Sequence, residues 1–367
     1  MSFKSRFTSP AVAAISFCLI GGTTPAYADL GDQLAKLLAD DGAAEDNFGR
    51  SVSISGDTAV IGAWRDDDNG IESGSAYVFT RSGGVWTQQA KLLADDGAAD
   101  DVFGNSVAIS GATAIVGAFL NDDNGFDSGS AYVFTRSGGV WTQQAKLLPA
   151  DGAAGDWFGG SVSISGPPGE EVAVIGAQFN DDNGIDSGSA YVFTRSGGVW
   201  TQQAKLLPKD GAASDRFGFS GAISGDMAVI GAYGDDDNGD DSGSAYLFDI
   251  SDPKNPVEIA KLLPDDGAAG DRFGWSVSIS GPPGEEVAVI GAHGNDDNGD
   301  DSGSAYLFDA SFCPWDLDDN GIVGVSDLLS LLASWGPCKG CPADFDENGN
   351  VGVSDLLALL ANWGPCP

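Results

Sequence analysis

The sequence predicts an all-β chain, a five-bladed β-propeller closed by its own N-terminal strand, followed by a small α-helical module. Three observations carry this. A Phe-Gly pair recurs at Phe48, Phe103, Phe158, Phe217 and Phe273, at intervals of 55, 55, 59 and 56 residues. A Gly-Ala pair follows each, at Gly62, Gly117, Gly176, Gly231 and Gly291. Between and after these pairs lie short runs with strand patterning and glycine turns, which at this period point to radially packed sheets rather than a helical solenoid.

The first repeat divides into four strands. Residues 51–55 (SVSIS) alternate, placing Val52 and Ile54 on one face. Residues 58–63 (TAVIGA) are apolar on both faces, as an inner strand should be. An acidic loop then leads to 74–81 (GSAYVFTR), and Ser82-Gly83-Gly84 turns the chain into 85–93 (VWTQQAKLL). One such sheet cannot bury both its faces alone, so the repeats must stack. GPPGEE at 166–171 and 281–286 lengthens one turn in two repeats, and 251–256 (SDPKNP) replaces one hairpin turn.

The two ends of the array are complementary. Residues 33–38 (QLAKLL) match the end of a fourth strand with no three strands before them, and the fifth repeat stops after its third. Pairing 33–38 with 305–308 would complete the last blade and remove an exposed edge. An open array, or exchange of the strand between molecules, is the alternative.

The repeated Phe-Gly and Gly-Ala pairs resemble the FG-GAP repeat, the blade of the integrin α-subunit propeller and of many exported bacterial proteins. The likeness covers about 30–312. The family's calcium loop, between the first two strands, is here only a short turn such as Ser55-Gly56-Asp57-Thr58. Its ligands are therefore not carried over.

Residues 1–28 read as a secretion signal, with Lys4 and Arg6, an apolar stretch at 11–22 and Ala26-Tyr27-Ala28. Phe17 before Cys18 argues against a lipid anchor, and the expectation is a secreted or surface-associated protein without a membrane span. With 54 acidic residues against 17 lysines and arginines, the formal charge is -37. That balance argues against nucleic acid and anionic membranes as partners. Much of the charge falls in five equivalent loops, 66–72, 121–127, 180–186, 235–241 and 295–301. They read either as solvated turns or as cation sites, with Asp68, Asp123, Asp182, Asp237 and Asp297 the better ligand candidates.

Beyond Phe312 the pattern changes. Residues 313–338 recur 28 residues later as 341–366, each with a twelve-position loop bearing oxygen ligands. The candidate calcium ligands are Asp316, Asp318, Asn320 and Asp327, with the Ile322 carbonyl, and Asp344, Asp346, Asn348 and Asp355, with the Asn350 carbonyl. Gly321 and Gly349 stand where such a loop turns sharply. A leucine-rich helix follows each loop and ends at Trp335-Gly336-Pro337 or Trp363-Gly364-Pro365. These copies resemble dockerin modules, EF-hand-type tandem loops that bind Ca2+ and dock on a cohesin. The resemblance implies a cohesin-like or other cell-surface partner and assigns Val325-Ser326 and Val353-Ser354 to reading it. The four cysteines beyond the signal suggest Cys313–Cys338 and Cys341–Cys366, a staple on each copy. A Cys338/Cys341 redox or zinc pair is the rival. The predicted divisions are thus 1–28, 30–312 and 313–367.

Near-identical blades leave no asymmetric catalytic set. No nucleophile elbow or phosphate loop occurs, and the single histidine, His293, stands where other blades have Trp64, Phe119, Gln178 and Tyr233. The expected role is a non-enzymatic scaffold binding a glycan or protein. The alternative is a polysaccharide hydrolase or lyase using paired carboxylates. The varying residues after each Gly-Ala are where a ligand would tell blades apart.

Overall fold

A computed structural model describes residues 33–367 apart from 283–284, 312, 314, 318–321, 339–340, 347 and 366–367. The chain divides into two compact units, Met1–Lys36 and Leu37–Pro367. Of the first only 33–36 are described, and they form neither helix nor strand. The expected signal at 1–28 lies outside the described residues.

The larger unit begins with the predicted blade, an antiparallel sheet of β1 (Val52–Ser55), β2 (Thr58–Ala63), β3 (Ser75–Ser82) and β4 (Val85–Leu92) in that spatial order. β2 is buried throughout, as its two-sided apolar pattern requires. A bulge at Val78/Phe79 shifts the register between β3 and β4. It recurs at Val133/Phe134, Val192/Phe193 and Leu247/Phe248. Four sheets of this kind follow one another, and a fifth contains Phe273–Ser280, Val287–Ala292 and Ser304–Asp309 only.

The Phe-Gly and Gly-Ala pairs are where one blade meets the next. Gly74 bridges Phe103 of the following blade in parallel, and Gly129, Gly188 and Gly243 do the same with Phe158, Phe217 and Phe273. A Cβ on Gly62 would lie 1.9 Å from the Gly104 carbonyl oxygen, so two backbones approach here in a way no other residue permits. The Ser51 hydroxyl donates to that same oxygen at 2.8 Å. The phenylalanine of each motif stands edge-on to the tyrosine and phenylalanine of its own third strand, as Phe103 does to Tyr132 and Phe134. Burying such a ring contributes about 2–3 kcal/mol. Four apolar clusters bind consecutive blades in this manner.

The ends differ from the middle. Val78, Val133, Val192 and Leu247 are 0–3 % exposed against the next blade, but Leu307 at the same position of the last blade is 72 % exposed. On the first blade Val52 and Ile54 are 70 % and 64 % exposed, where Val107 and Ile109 of the second are buried. The expected four-stranded last blade is therefore three-stranded among the described residues, and 33–38 contribute no strand to any sheet. Leu37 and Ala39 nevertheless pack on the first blade, as Leu92 and Ala94 pack on the second.

The C-terminal module has two helices, α1 (Val325–Ala333) and α2 (Val353–Ala361), over a shared core of Val323, Leu331, Ala343, Val351 and Leu359. Its two copies clasp each other. Ile322–Val323 pairs with Gly364–Pro365, and Gly336–Pro337 pairs with Asn350–Val351. The chain end of each copy thus lies on the loop of the other. This reciprocity overturns the expected staples: Cys338 is bonded to Cys341, 5.8 Å away between Cα atoms. Cys313 is also disulfide-bonded. Cys366 lies outside the described residues.

Candidate functional sites: the blade rim and a C-terminal metal centre

The acidic loops are tied inward by lysines of the fourth strands. Lys91 Nζ lies 2.7–2.9 Å from Asp41, Asp66 and Asp68, and Lys261 likewise from Asp210, Asp235 and Asp237. In the second and third blades asparagines replace the middle carboxylate. There Lys146 holds Asp96 and Asp123, and Lys205 holds Asp151 and Asp182. Burial opposes the lysine charge, but hydrogen bonds to Asp41 and Asp68 keep Lys91 above the ordinary lysine range. The tyrosine beneath each lysine is pushed up by burial, Tyr191 to about 12. Four of the five candidate cation ligands, Asp68, Asp123, Asp182 and Asp237, therefore already hold an ammonium. Asp297 has no such partner among the described residues, because its blade lacks the strand that carries the lysine.

Beside these loops runs a belt of aromatic and guanidinium groups. Phe119 meets Trp157 at 4.8 Å between centroids, and Trp157 meets Phe179 at 4.5 Å. The Arg216 guanidinium lies over both Phe179 and Tyr233, at 5.3 and 5.2 Å, and donates to the Tyr233 hydroxyl. Trp275 contacts Phe219, Tyr233 and His293 at 4.3–4.8 Å. On the first blade, Arg50 and Arg65 flank Trp64, and Arg50 Nε donates to Asn105 of the second at 3.2 Å. The positions after Gly-Ala were legible in the sequence. Their partners on either side of Phe-Gly, Trp157, Arg216, Phe219 and Trp275, were missed because they come from the neighbouring repeat. One signal was available: those flanking residues vary as much as the predicted ones do.

Trp157 and Arg216 hold left-handed backbone, each at φ 57°. A residue with a large side chain is strained there, by roughly 1 kcal/mol, where glycine would be at ease.

In the second C-terminal loop Asp344, Asp346 and Asp355 bring one carboxylate oxygen each within 4.8 Å of one another. Asp355 is fully buried and accepts from the backbone N–H groups of Phe345 and Gly352, both at 2.8 Å. Asp344 Oδ2 accepts from Gly349 at 2.8 Å, while its buried Oδ1 has no hydrogen-bond partner. The Ser354 hydroxyl holds Asp346 below the usual carboxylate range. The Asn348 backbone N–H donates to Asp346 Oδ1 at 3.3 Å, and Asn350 opens the strand Asn350–Val351. In the first loop Asp327 repeats the arrangement, accepting from Leu317 and Gly324 at 2.7 Å, with Asp316 buried nearby in sequence and Ile322 opening its strand. Asp318 and Asn320 lie outside the described residues. Hard oxygens around an orphaned buried carboxylate oxygen suit a hard divalent cation.

Stacked four-stranded sheets with a variable rim define a propeller-type binding scaffold. A family comparison makes it particular: the FG-GAP repeat matches residues 32–79, 86–134, 141–193, 200–248 and 256–308, and the chain belongs to that family. Comparison with curated proteins finds no match. Among the described residues no helix is long and apolar enough to cross a membrane.

Proposed function

We propose that this is an exported, non-enzymatic adhesion scaffold whose blade rim binds a glycan or protein and whose tail binds calcium and docks on a partner. The observation that carries it is where the blades differ. Their strands repeat almost residue for residue, while the rim changes from blade to blade and gathers its aromatic groups there. His293, the single imidazole, is exposed against Trp275 and makes no ion pair with a carboxylate among the described residues, which fits a surface better than a proton-transfer centre. The test is capture of extracellular glycans and surface proteins by the full chain, with product analysis of each bound polysaccharide. Binding without cleavage supports the scaffold, and turnover overturns it.

The blades close into a ring with 33–38 as the missing strand. Leu37 and Ala39 already hold the place of the connector that leaves a preceding blade. Asp40 N–H donates to Gln88 at 3.0 Å as Asp95 donates to Gln143. A concavity on the last blade is lined by Glu286 and Val287 and by Leu307 and Phe308 of its third strand. The register Val78↔Ala90 transfers to Leu307 opposite Ala35, and Tyr77↔Lys91 to Tyr306 opposite Lys36. An Ala35→Cys/Leu307→Cys pair should form an intramolecular disulfide, found by peptide mapping. A bond only between molecules would establish strand exchange instead.

In the tail, calcium is the cation that suits two carboxylate loops, held by Asp344, Asp346, Asn348, Asp355 and the Asn350 carbonyl, and by the corresponding groups of the first loop. Bound there, it would neutralise the clustered carboxylates and stiffen both helix starts. Docking on a cohesin-like or other surface protein through 313–366 follows from the dockerin resemblance. Its test is a pull-down with and without chelator, where chelator-insensitive capture rejects the docking role.

A further inference from the structure

Because the reading of the rim as a ligand surface leaves its ligand unnamed, we infer the class from the chemistry of the belt: an uncharged polysaccharide chain, bound across several blades by Phe119, Trp157, Phe179, Arg216 and Trp275, with the buried Tyr233 packed against the last two. This rests on the scaffold reading. Three features point to it. Aromatic faces alternate with a guanidinium along the belt. That alternation matches a sugar chain, whose C–H faces stack on rings and whose hydroxyl and ring oxygens accept from N–H donors. Donors also stand idle, since Arg216 Nε and Arg272 Nε are buried without a hydrogen-bond partner. An oxygen-rich ligand would satisfy them at the cost of small side-chain rotations. Finally, charge excludes the main competitors. A formal charge of -37 opposes a polyanion. A polycation would have to settle on the chain's arginines, because Arg50, Arg65 and Arg216 lie along this rim. A neutral chain pays neither penalty.

The experiment titrates the full chain, with calcium present, against neutral oligosaccharides of the cellulose, xylan, mannan and chitin types. Polygalacturonate serves as the anionic arm, and tryptophan fluorescence and calorimetry give the readout. At least one neutral series should saturate, with affinity rising as the chain lengthens to span successive blades. Trp275→Ala should weaken binding about tenfold or more. Trp157→Gly should do the same while relieving the left-handed backbone, so loss of binding with an undiminished melting temperature cannot be put down to misfolding. Trp335→Ala, an exposed tryptophan of the tail, should leave binding unchanged. The inference is overturned if no neutral saccharide saturates, if polygalacturonate alone binds, or if binding survives both rim substitutions. Cleavage of a bound saccharide would sink the non-enzymatic reading and leave the belt standing.

Discussion

At Gly117 a Cβ would sit 2.0 Å from the Gly159 carbonyl of the next blade, so the residue has no alternative. Gly117→Ala should cost about 2 kcal/mol or more, seen as a fall in melting temperature, because the backbones of two blades must part. Gly111, at φ +56 with nothing within 4 Å, serves as control: Gly111→Asn should be near neutral. Ionisation acts at the same scale and in opposing senses. Burial and the charge of Asp235 raise Asp215 to about 6, above its ordinary 3.8. The folded state therefore holds that proton longer, and the stability this group contributes is present below pH 3.8 and lost as pH rises through about 6. Burial pushes Asp96, Asp151 and Asp210 up, but their lysines hold them low, and Lys91 likewise holds Asp41 low against its burial. Their contribution is present above the ordinary carboxylate range and lost below it. Melting temperature should thus peak in mild acid, and Asp215→Asn should flatten part of the decline between pH 3.8 and about 6. A melting profile that keeps its slope in the variant refutes that assignment. The glycines were legible in the sequence as a repeated motif. The lysine ties were not, since Lys91 draws its carboxylates from two separate segments, Asp41 and the 66–72 loop, that only folding brings together.

Blades are the element most completely written in the sequence. Alternation, two-sided apolar runs and Ser-Gly-Gly turns gave the strands nearly to their ends, because each is decided by neighbours in sequence. The tail was read less well. Its loops and helices were local, and the structure has both helices where the leucines place them. Its cross-links were not local. Symmetric cysteine spacing favoured a staple on each copy, whereas the copies exchange their ends and Cys338 finds Cys341 instead. Closing so short a loop restrains the unfolded chain little, about 2 kcal/mol at most. Cys338→Ser/Cys341→Ser should therefore keep the module folded in saturating calcium, by circular dichroism. Asp346→Asn, exposed and outside the core, should weaken calcium binding about tenfold in calorimetry without altering the calcium-free spectrum. Unchanged affinity would remove Asp346 from the site.

For the molecule as a whole, the middle of the array satisfies itself and the ends do not. Apolar positions that inner blades bury are open on the first and last. The sequence showed the deficit of one strand but not which partner makes it good, since pairing across five repeats depends on the accumulated rotation of four interfaces. If 33–38 close the ring, deleting them should turn a monomer into concentration-dependent oligomers, measured by light scattering. A deletion variant that stays monomeric would mean that those residues cover nothing.

Sameness of the joints has a genetic corollary. Each blade presents to its successor the bridge that it received from its predecessor, Gly74 to Phe103 and Gly129 to Phe158 alike. A crossover in the coding DNA that inserts or removes one whole unit therefore joins surfaces that already fit. The array is free to grow or shrink by recombination while the tryptophans and arginines along its lip diverge one at a time.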